Sequence, residues 1–340
     1  MALSTILVAV MPFLRCVHCT VLEHYVKSGS TVTICALDIS KAFDRVDHFA
    51  LLKVLIDKGL PKTFIEILLE WLRKCNVCVR WGSAYSYFFP ILAGVRQGGL
   101  LSPSLFAVYM DVLINKLRRL GLGCRLYDNF YGCLLYADDI VLLSHSVNSM
   151  QRMLHVCDLF ASEFDVKFNS TKSVAMRCGP RYDVVCASLQ LAGQDLKFVT
   201  TVKYLGVHLV ASKYFKCSVD HVKLKFYRVF NSIYAKSKRS EIVTVELMKS
   251  YCIPFILYAT EAPCLPKGIL NMLDNCTINK ALCKIFNVHT SDCIVTLRNF
   301  LHLPKLEVNI ENRKSKFIHR LLSVEKFNVL FKIQAMDLLY

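Results

Sequence analysis

From Ser30 onward the chain alternates short apolar runs with polar punctuation. Thr31 to Asp38 is β-branched and apolar, which predicts a buried strand ending in a carboxylate. Asp47 is placed to cap a helix running toward Lys58 and closed by Gly59, and Pro61 starts a second helix. In that second helix Phe64, Ile67, Leu68, Trp71 and Leu72 recur at the spacing of one apolar face. Val77, Val79 and Trp81 alternate ahead of Gly82-Ser83, as in a hairpin. Ser102-Pro103 opens a helix whose Leu105, Tyr109, Val112 and Leu117 face one way until Gly121 stops it. Apolar runs from Cys133 to Tyr136 and from Ile140 to Leu143 flank Ala137-Asp138-Asp139, which predicts a hairpin tip projecting from a sheet. Ser146 or Asn148 caps the next helix, with Met150, Leu154, Cys157, Ala161 and Phe164 inward. Phe198 to Val210 reads as strand again. Beyond Ser212 the pattern turns helical and basic, and a boundary is expected there.

A length of 340 residues calls for two or three packed units. With 54% hydrophobic and 20% charged residues the chain can bury a sizeable core, which excludes disordered and fibrous classes. Its 16 cysteines lie singly in apolar stretches such as Thr33-Ile34-Cys35-Ala36, the pattern of reduced thiols, so an intracellular compartment is expected. The 42 basic residues against 26 acidic ones give a formal charge of +16, which attracts polyanions. Residues 201–340 hold 21 basic and 10 acidic side chains, making this half the expected polyanion surface. The longest apolar run, Ile6 to Leu14, is far short of the roughly 18 to 20 residues of a membrane span, and the first residues lack the charge of a signal peptide. No membrane partner is expected. Cys16-Val17-His18-Cys19 with His24 has three ligands of a zinc knuckle at suitable spacing, but Gly29 stands in the fourth position. This pair and Cys75-Asn76-Val77-Cys78 read as packing thiols.

Asp38 at the end of one buried strand and Asp138-Asp139 between two others occupy places that are costly for charge unless a cation is bound. Converging at one sheet edge they would hold divalent magnesium through oxygen, the basis of two-metal phosphoryl transfer. On spacing alone, a capped turn and a solvated hairpin tip remain the alternative.

The run Ala36-Leu37-Asp38-Ile39-Ser40-Lys41-Ala42-Phe43-Asp44-Arg45-Val46-Asp47, followed by Gly94-Val95-Arg96-Gln97-Gly98-Gly99, Leu101-Ser102-Pro103 and Tyr136-Ala137-Asp138-Asp139, resembles the reverse transcriptase domain of non-LTR, LINE-type retrotransposons. Phe168-Asn169-Ser170-Thr171-Lys172-Ser173 and Lys203-Tyr204-Leu205-Gly206-Val207 are similar to the blocks that come next in that family. Leu257-Tyr258-Ala259-Thr260-Glu261 resembles its thumb and connection more loosely. The resemblance implies an α+β fold: a right-hand polymerase palm over residues 31–212, a small antiparallel sheet with helices on one face, then a helical basic thumb and C-terminal region over 213–340. Residues 1–30 would be a truncated or atypical remnant of the fingers.

By the same resemblance Asp38, Asp138 and Asp139 are catalytic and hold two magnesium ions, or manganese in their place, with the main chain of Ile39 completing one sphere. Phe43 would lie under the sugar of the incoming deoxynucleotide, unless it is an ordinary core residue. Gln97 and Gly98 would contact the nucleotide and template. Lys172 would protonate the pyrophosphate leaving group, a solvated loop lysine being the alternative. Tyr204 and Gly206 would hold the primer. Lys223, Lys225 and Arg228, in a basic stretch interleaved with Phe226, Tyr227 and Tyr234, would track a nucleic-acid backbone rather than form a plain solvated face. The implied activity is RNA-directed DNA synthesis from a DNA primer on an RNA template with deoxynucleoside triphosphates. A noncatalytic nucleic-acid-binding relic is the competing expectation, because the family's fingers blocks are not found before Asp38 and Gly99-Leu100 departs from the family's loop. Oligomeric state is left open.

Overall fold

The computed structural model describes residues 17–126, 129–258, 260 and 265–323. Readings that fall on Cys16 and the residues before it, on Ala259 and Glu261, and on residues 324–340 lie outside the described residues. The chain divides into two compact units. One comprises Tyr25–Val202 with Ala211–Lys213, and the other Met1–His24, Lys203–Val210 and Tyr214–Tyr340.

The first unit is built on a five-stranded sheet. Strand β1 (Val32–Leu37) lies in the middle, flanked on one side by the hairpin of β2 (Cys133–Tyr136) and β3 (Asp139–Ser144), and on the other by β4 (Val174–Cys178) and β5 (Lys197–Phe198). All neighbours are antiparallel except β4 and β5, so the expected antiparallel sheet carries one short parallel edge. Cys35 is opposite both Leu142 and Ala175, and Leu37 is opposite Ile140. These side chains share one face and join the main core with α1 (His48–Asp57), α2 (Lys62–Arg73), α3 (Ser102–Arg119) and α4 (Val147–Glu163). Ile34, Val141, Leu143 and Met176 on the other face are buried as well. Burial on both sides is the reason β1 and β3 are apolar at nearly every position rather than alternating.

Local chemistry starts and stops the helices. Asp47 accepts a hydrogen bond from Ala50 N at 2.6 Å, and the chain leaves α1 through Gly59 at φ 75°. Ser146 caps α4 by accepting from Ser149 N. Ser102 does not cap its own helix; its hydroxyl donates to the Arg96 carbonyl in the preceding loop. Helix α2 buries Ile65, Leu68 and Leu72, whereas Phe64, Ile67 and Trp71 face outward, so the expected inward face is rotated. After α2 a hairpin pairs Val77 with Phe89 and Trp81 with Ala84. It stands well out into solvent, with Trp81 86% and Tyr87 95% exposed.

The stretch read as one strand over 198–210, whose part from Lys203 belongs to the second unit, is broken. Leu205 and Gly206, at φ 45° and 84°, form a two-residue turn between β6 (Thr201–Tyr204) and β7 (Val207–Val210), as a tight hairpin requires. Strand β8 (Cys217–Ser218) pairs with β7 ahead of α5 (Asp220–Ser237). Helices over 241–323 follow, interrupted by two π-helical turns, Met248–Cys252 and Asn275–Asn279. Their core gathers Phe226, Phe230, Met248, Ile256, Leu282 and Leu306. Within it Arg298 pairs with Asp274 at 2.9 Å and donates to the Leu303 and Pro304 carbonyls, so a buried charge has its hydrogen bonds met. Among the described residues no helix is long and apolar enough to cross a membrane.

His18, on the helical stretch 17–27, is 1% exposed, its ring tilted against Tyr204 with centroids 5.1 Å apart. Burial without a hydrogen-bond partner for either ring nitrogen pulls it from the ordinary 6.5 down to about 3. Between those values the unfolded chain binds a proton that the folded chain does not, so stability falls as the solution is acidified through that window. The expected slope approaches about 1.4 kcal/mol per pH unit. His18→Leu is expected to flatten it in a series of urea midpoints taken across the window.

Candidate active site

The register of the central sheet places the acidic residues. Leu37 is opposite Ile140, so the next position on each strand brings Asp38 beside Asp139 at one edge of the sheet. Tyr136 is opposite Asp139, which leaves Ala137 and Asp138 as a two-residue turn, with Ala137 at φ 51°. Asp38 is half-buried, and Asp138 and Asp139 are exposed.

A second segment closes against Asp38. Its amide donates to Ser173 Oγ at 3.1 Å, and its carbonyl accepts from Asn169 N at 2.8 Å. Ile39 forms an isolated antiparallel bridge with Phe168, and Ser40 N donates to the Lys167 carbonyl. Asn169 turns the chain by accepting from Thr171 Oγ1 and Lys172 N, so the backbone of Lys172 is held three residues from Asn169 while its side chain remains exposed.

The loop from Gly94 to Gly99 is pinned to the turn after β1. Gly94 N donates to the Val46 carbonyl and Val95 N to the Phe43 carbonyl, both at 2.8 Å, and His48 Nε2 lies 2.7 Å from the Gly94 carbonyl. Gln97 Nε2 donates to Asp44 Oδ1 at 3.1 Å. Gly98 has φ 81°, a conformation suited to glycine. Phe43 is half-buried, stacked on Phe106 with centroids 4.8 Å apart, so it is part core and part surface. Beneath this turn Tyr109 receives a hydrogen bond from Asp47 N and donates to the Phe164 carbonyl. Burial pushes its phenol up to about 12.

Asp38, Ile39, Phe43, Gln97, Gly98, Asp138, Asp139 and Lys172 all belong to the first unit. Tyr204, Gly206, Lys223, Lys225 and Arg228 belong to the second. Tyr204 is buried against His18, and a Cβ on Gly206 would come within 2.5 Å of the Tyr258 ring. Lys225 and Arg228 are exposed on α5, whereas Lys223 pairs with Asp220 at 3.3 Å. Asp44, Asn169 and Ser173 were not singled out in the sequence, and their partners across the fold give them their place. All three stand inside the motif blocks quoted above, and the Asn-Ser-Thr composition marks the segment of the last two as a turn.

A magnesium site is tested by its donors. Three carboxylates and a main-chain carbonyl are hard oxygen ligands, the chemistry that such an ion takes. Among the described residues no three His, Cys, Asp or Glu side chains are gathered to hold a metal ion. The donors therefore suit the ion and share a sheet edge, without closing a coordination shell around it.

The chain belongs to the reverse transcriptase (RNA-dependent DNA polymerase) family, whose model matches residues 6–209. It is 26% identical over 299 residues to the retrovirus-related Pol polyprotein from type-1 retrotransposable element R2 of Popillia japonica, covering 83% of this chain and 47% of that protein. It is 24% identical to the RNA-directed DNA polymerase from mobile element jockey of Drosophila melanogaster, covering 84% of this chain and 32% of that one. Its relatives are thus non-LTR retrotransposon polymerases, in agreement with the resemblance read from the motifs, and the chain spans about half or less of their length. Among solved structures, telomerase from Candida albicans aligns at 12% identity and a TM-score of 0.49, covering 84% of this chain and 52% of that one.

Gly94 is the point of the pinned loop that packs against fixed backbone. At φ 95°, an added Cβ would lie 2.8 Å from the Asp44 carbonyl oxygen. Gly94→Ala is expected to cost about 1–3 kcal/mol and to detach Gln97 from Asp44. Chemical denaturation measures the first effect, and the chemical shift of the Gln97 side-chain amide measures the second.

Proposed function

We propose that this chain is the polymerase core of a non-LTR retrotransposon reverse transcriptase, extending a DNA primer along an RNA template with deoxynucleoside triphosphates. The observation that carries the reading is the register that sets Asp38 beside Asp139 at the sheet edge, in a chain of the reverse transcriptase family.

In this reading Asp38, Asp138 and Asp139, with the main chain of Ile39, hold magnesium. When bound, that ion supplies positive charge to the primer hydroxyl and to the leaving phosphate oxygens. The Asp38 backbone is fixed from both sides, through Ser173 Oγ and Asn169 N, which limits the drift of its carboxylate. Lys172, on the same turn, has a side chain free to reach solvent and protonates the departing pyrophosphate. Phe43 rests on Phe106, so its ring cannot retreat to admit a ribose 2′-hydroxyl, and deoxynucleotides are preferred. Gln97, oriented by Asp44, and Gly98 contact the nucleotide and template. Tyr204 and Gly206 hold the primer, while Lys225 and Arg228, with Lys223, contact backbone phosphates.

Primer extension on an RNA template with magnesium, compared with the Asp138→Asn, Asp139→Asn double variant, tests the assignment. The parent is expected to extend and the variant to lose at least about a thousandfold in rate, since paired metal-binding carboxylates act as a unit. A folded parent that binds primer and template without extending would turn the reading to a noncatalytic nucleic-acid-binding chain. Phe43→Ala is expected to raise ribonucleotide incorporation relative to deoxynucleotide by about tenfold or more, read from parallel extensions with each triphosphate.

A further inference from the structure

In the second unit the rings of His208, on β7, and His221, in the first turn of α5, stack with centroids 3.8 Å apart and planes 24° from parallel. They line a small open cavity of about 30 Å³ whose other walls include Ser218, Ile256, Tyr258 and Leu273. Lys203 from β6 and Lys225 from α5 both act on the two rings, and both are exposed. The acid nearest in sequence, Asp220, is engaged by Lys223 and by the Ser218 hydroxyl and amide contacts around it. Among the described residues, Cys217 and Tyr258 are the other titratable side chains lining the cavity.

Two imidazoles in face-to-face contact beside two ammonium groups form a place where charging either ring is opposed. Burial, Lys203 and Lys225 hold His208 below its ordinary value. Burial, the His208 ring, Lys225 and Lys203 bring His221 down to about 4. The free protein thus keeps both rings neutral at pH 7. An anion reaching the two rings would reverse that balance, because its charge stabilises an imidazolium and offsets the lysines.

We propose that the stacked His208 and His221 rings, with Lys203 and Lys225 beside them, form a proton-linked binding site for a backbone phosphate of nucleic acid. The proposal rests on the nucleic-acid-binding part of the function given above and not on catalysis. Binding of the phosphate takes up a proton, so by linkage the affinity rises as pH falls. Lys203 and Lys225 supply attraction that does not vary with pH over this range, and the histidines supply the part that does.

Anisotropy of a labelled RNA–DNA hybrid duplex at constant ionic strength tests the site. Between about pH 8 and about pH 6 the parent's affinity is expected to rise roughly tenfold, and that of the His208→Gln, His221→Gln variant by less than about twofold. Lys225→Gln is expected to weaken binding at every pH and to leave the slope in place. Calorimetry of the parent in two buffers of different ionisation enthalpy measures proton uptake directly and decides the matter even if the histidine variant misfolds. Equal slopes in parent and variant, or no proton uptake by the parent, would overturn the proposal. Inorganic phosphate that displaces the duplex with the same proton uptake would make this a free-anion site, and would overturn the assignment to a nucleic-acid backbone.

The Asp138→Asn, Asp139→Asn chain is expected to keep the pH-dependent binding. Extension by the parent with a flat pH profile removes this site alone. PH-dependent binding without extension removes the polymerase assignment alone.

Discussion

Hydrogen bonding of β1 between β3 and β4 is the constraint on which the candidate site depends. Because both faces of β1 are buried, a slip of one residue would not expose a charged face, and the inward and outward pattern alone does not fix the register. The pairing is held instead by contacts beyond the strand end. The Ile39 bridge to Phe168, the Ser173 hydroxyl under Asp38 N and the Asn169 amide on the Asp38 carbonyl all require one alignment. That alignment puts Asp38 next to Asp139.

Local signals were the legible ones. The Asp47 cap, the Gly59 exit and the hairpin tip at Ala137-Asp138-Asp139 each follow from a few adjacent residues, and the structure agrees with them, except that Asp139 already belongs to the second strand. Helix α2 shows where such reasoning fails. It carries two apolar stripes, Phe64-Ile67-Trp71 and Ile65-Leu68-Leu72, and periodicity cannot say which one the rest of the chain will cover. The stretch over 198–210 failed for a related reason: Leu205 is a poor candidate for a left-handed turn, and only its pairing with Gly206 in the folded chain makes the break visible. The ordered motifs made the site residues themselves readable. Their supports, Ser173 under Asp38 and Asp44 beside Gln97, come from segments 135 and 53 residues away, and these pairings leave no mark on local pattern.

The second unit divides its charge by the same helical geometry. On α5, Phe226 and Phe230 point into the core while Lys225 and Arg228 remain in solvent. A basic surface is therefore carried on the back of a packed helix rather than on a mobile arm. The buried Arg298, fully engaged with Asp274 and two carbonyls, keeps its own charge out of that surface.

The hairpin after α2 has a practical consequence. Its strands pair only with each other among the described residues, and Val79, Trp81, Tyr87 and Phe88 stand more than half exposed along it. Open strand edges next to bare aromatic rings invite edge-to-edge association in concentrated solution. Arg80, whose guanidinium lies over the Tyr85 ring at 5.6 Å, is the one charge set into the tip and acts as its gatekeeper. Yield and solubility of the purified chain should therefore respond more strongly to polar replacement of Trp81 than to any change in the buried core of similar size, because the core sets how well the chain folds while this surface sets what it does once folded and crowded.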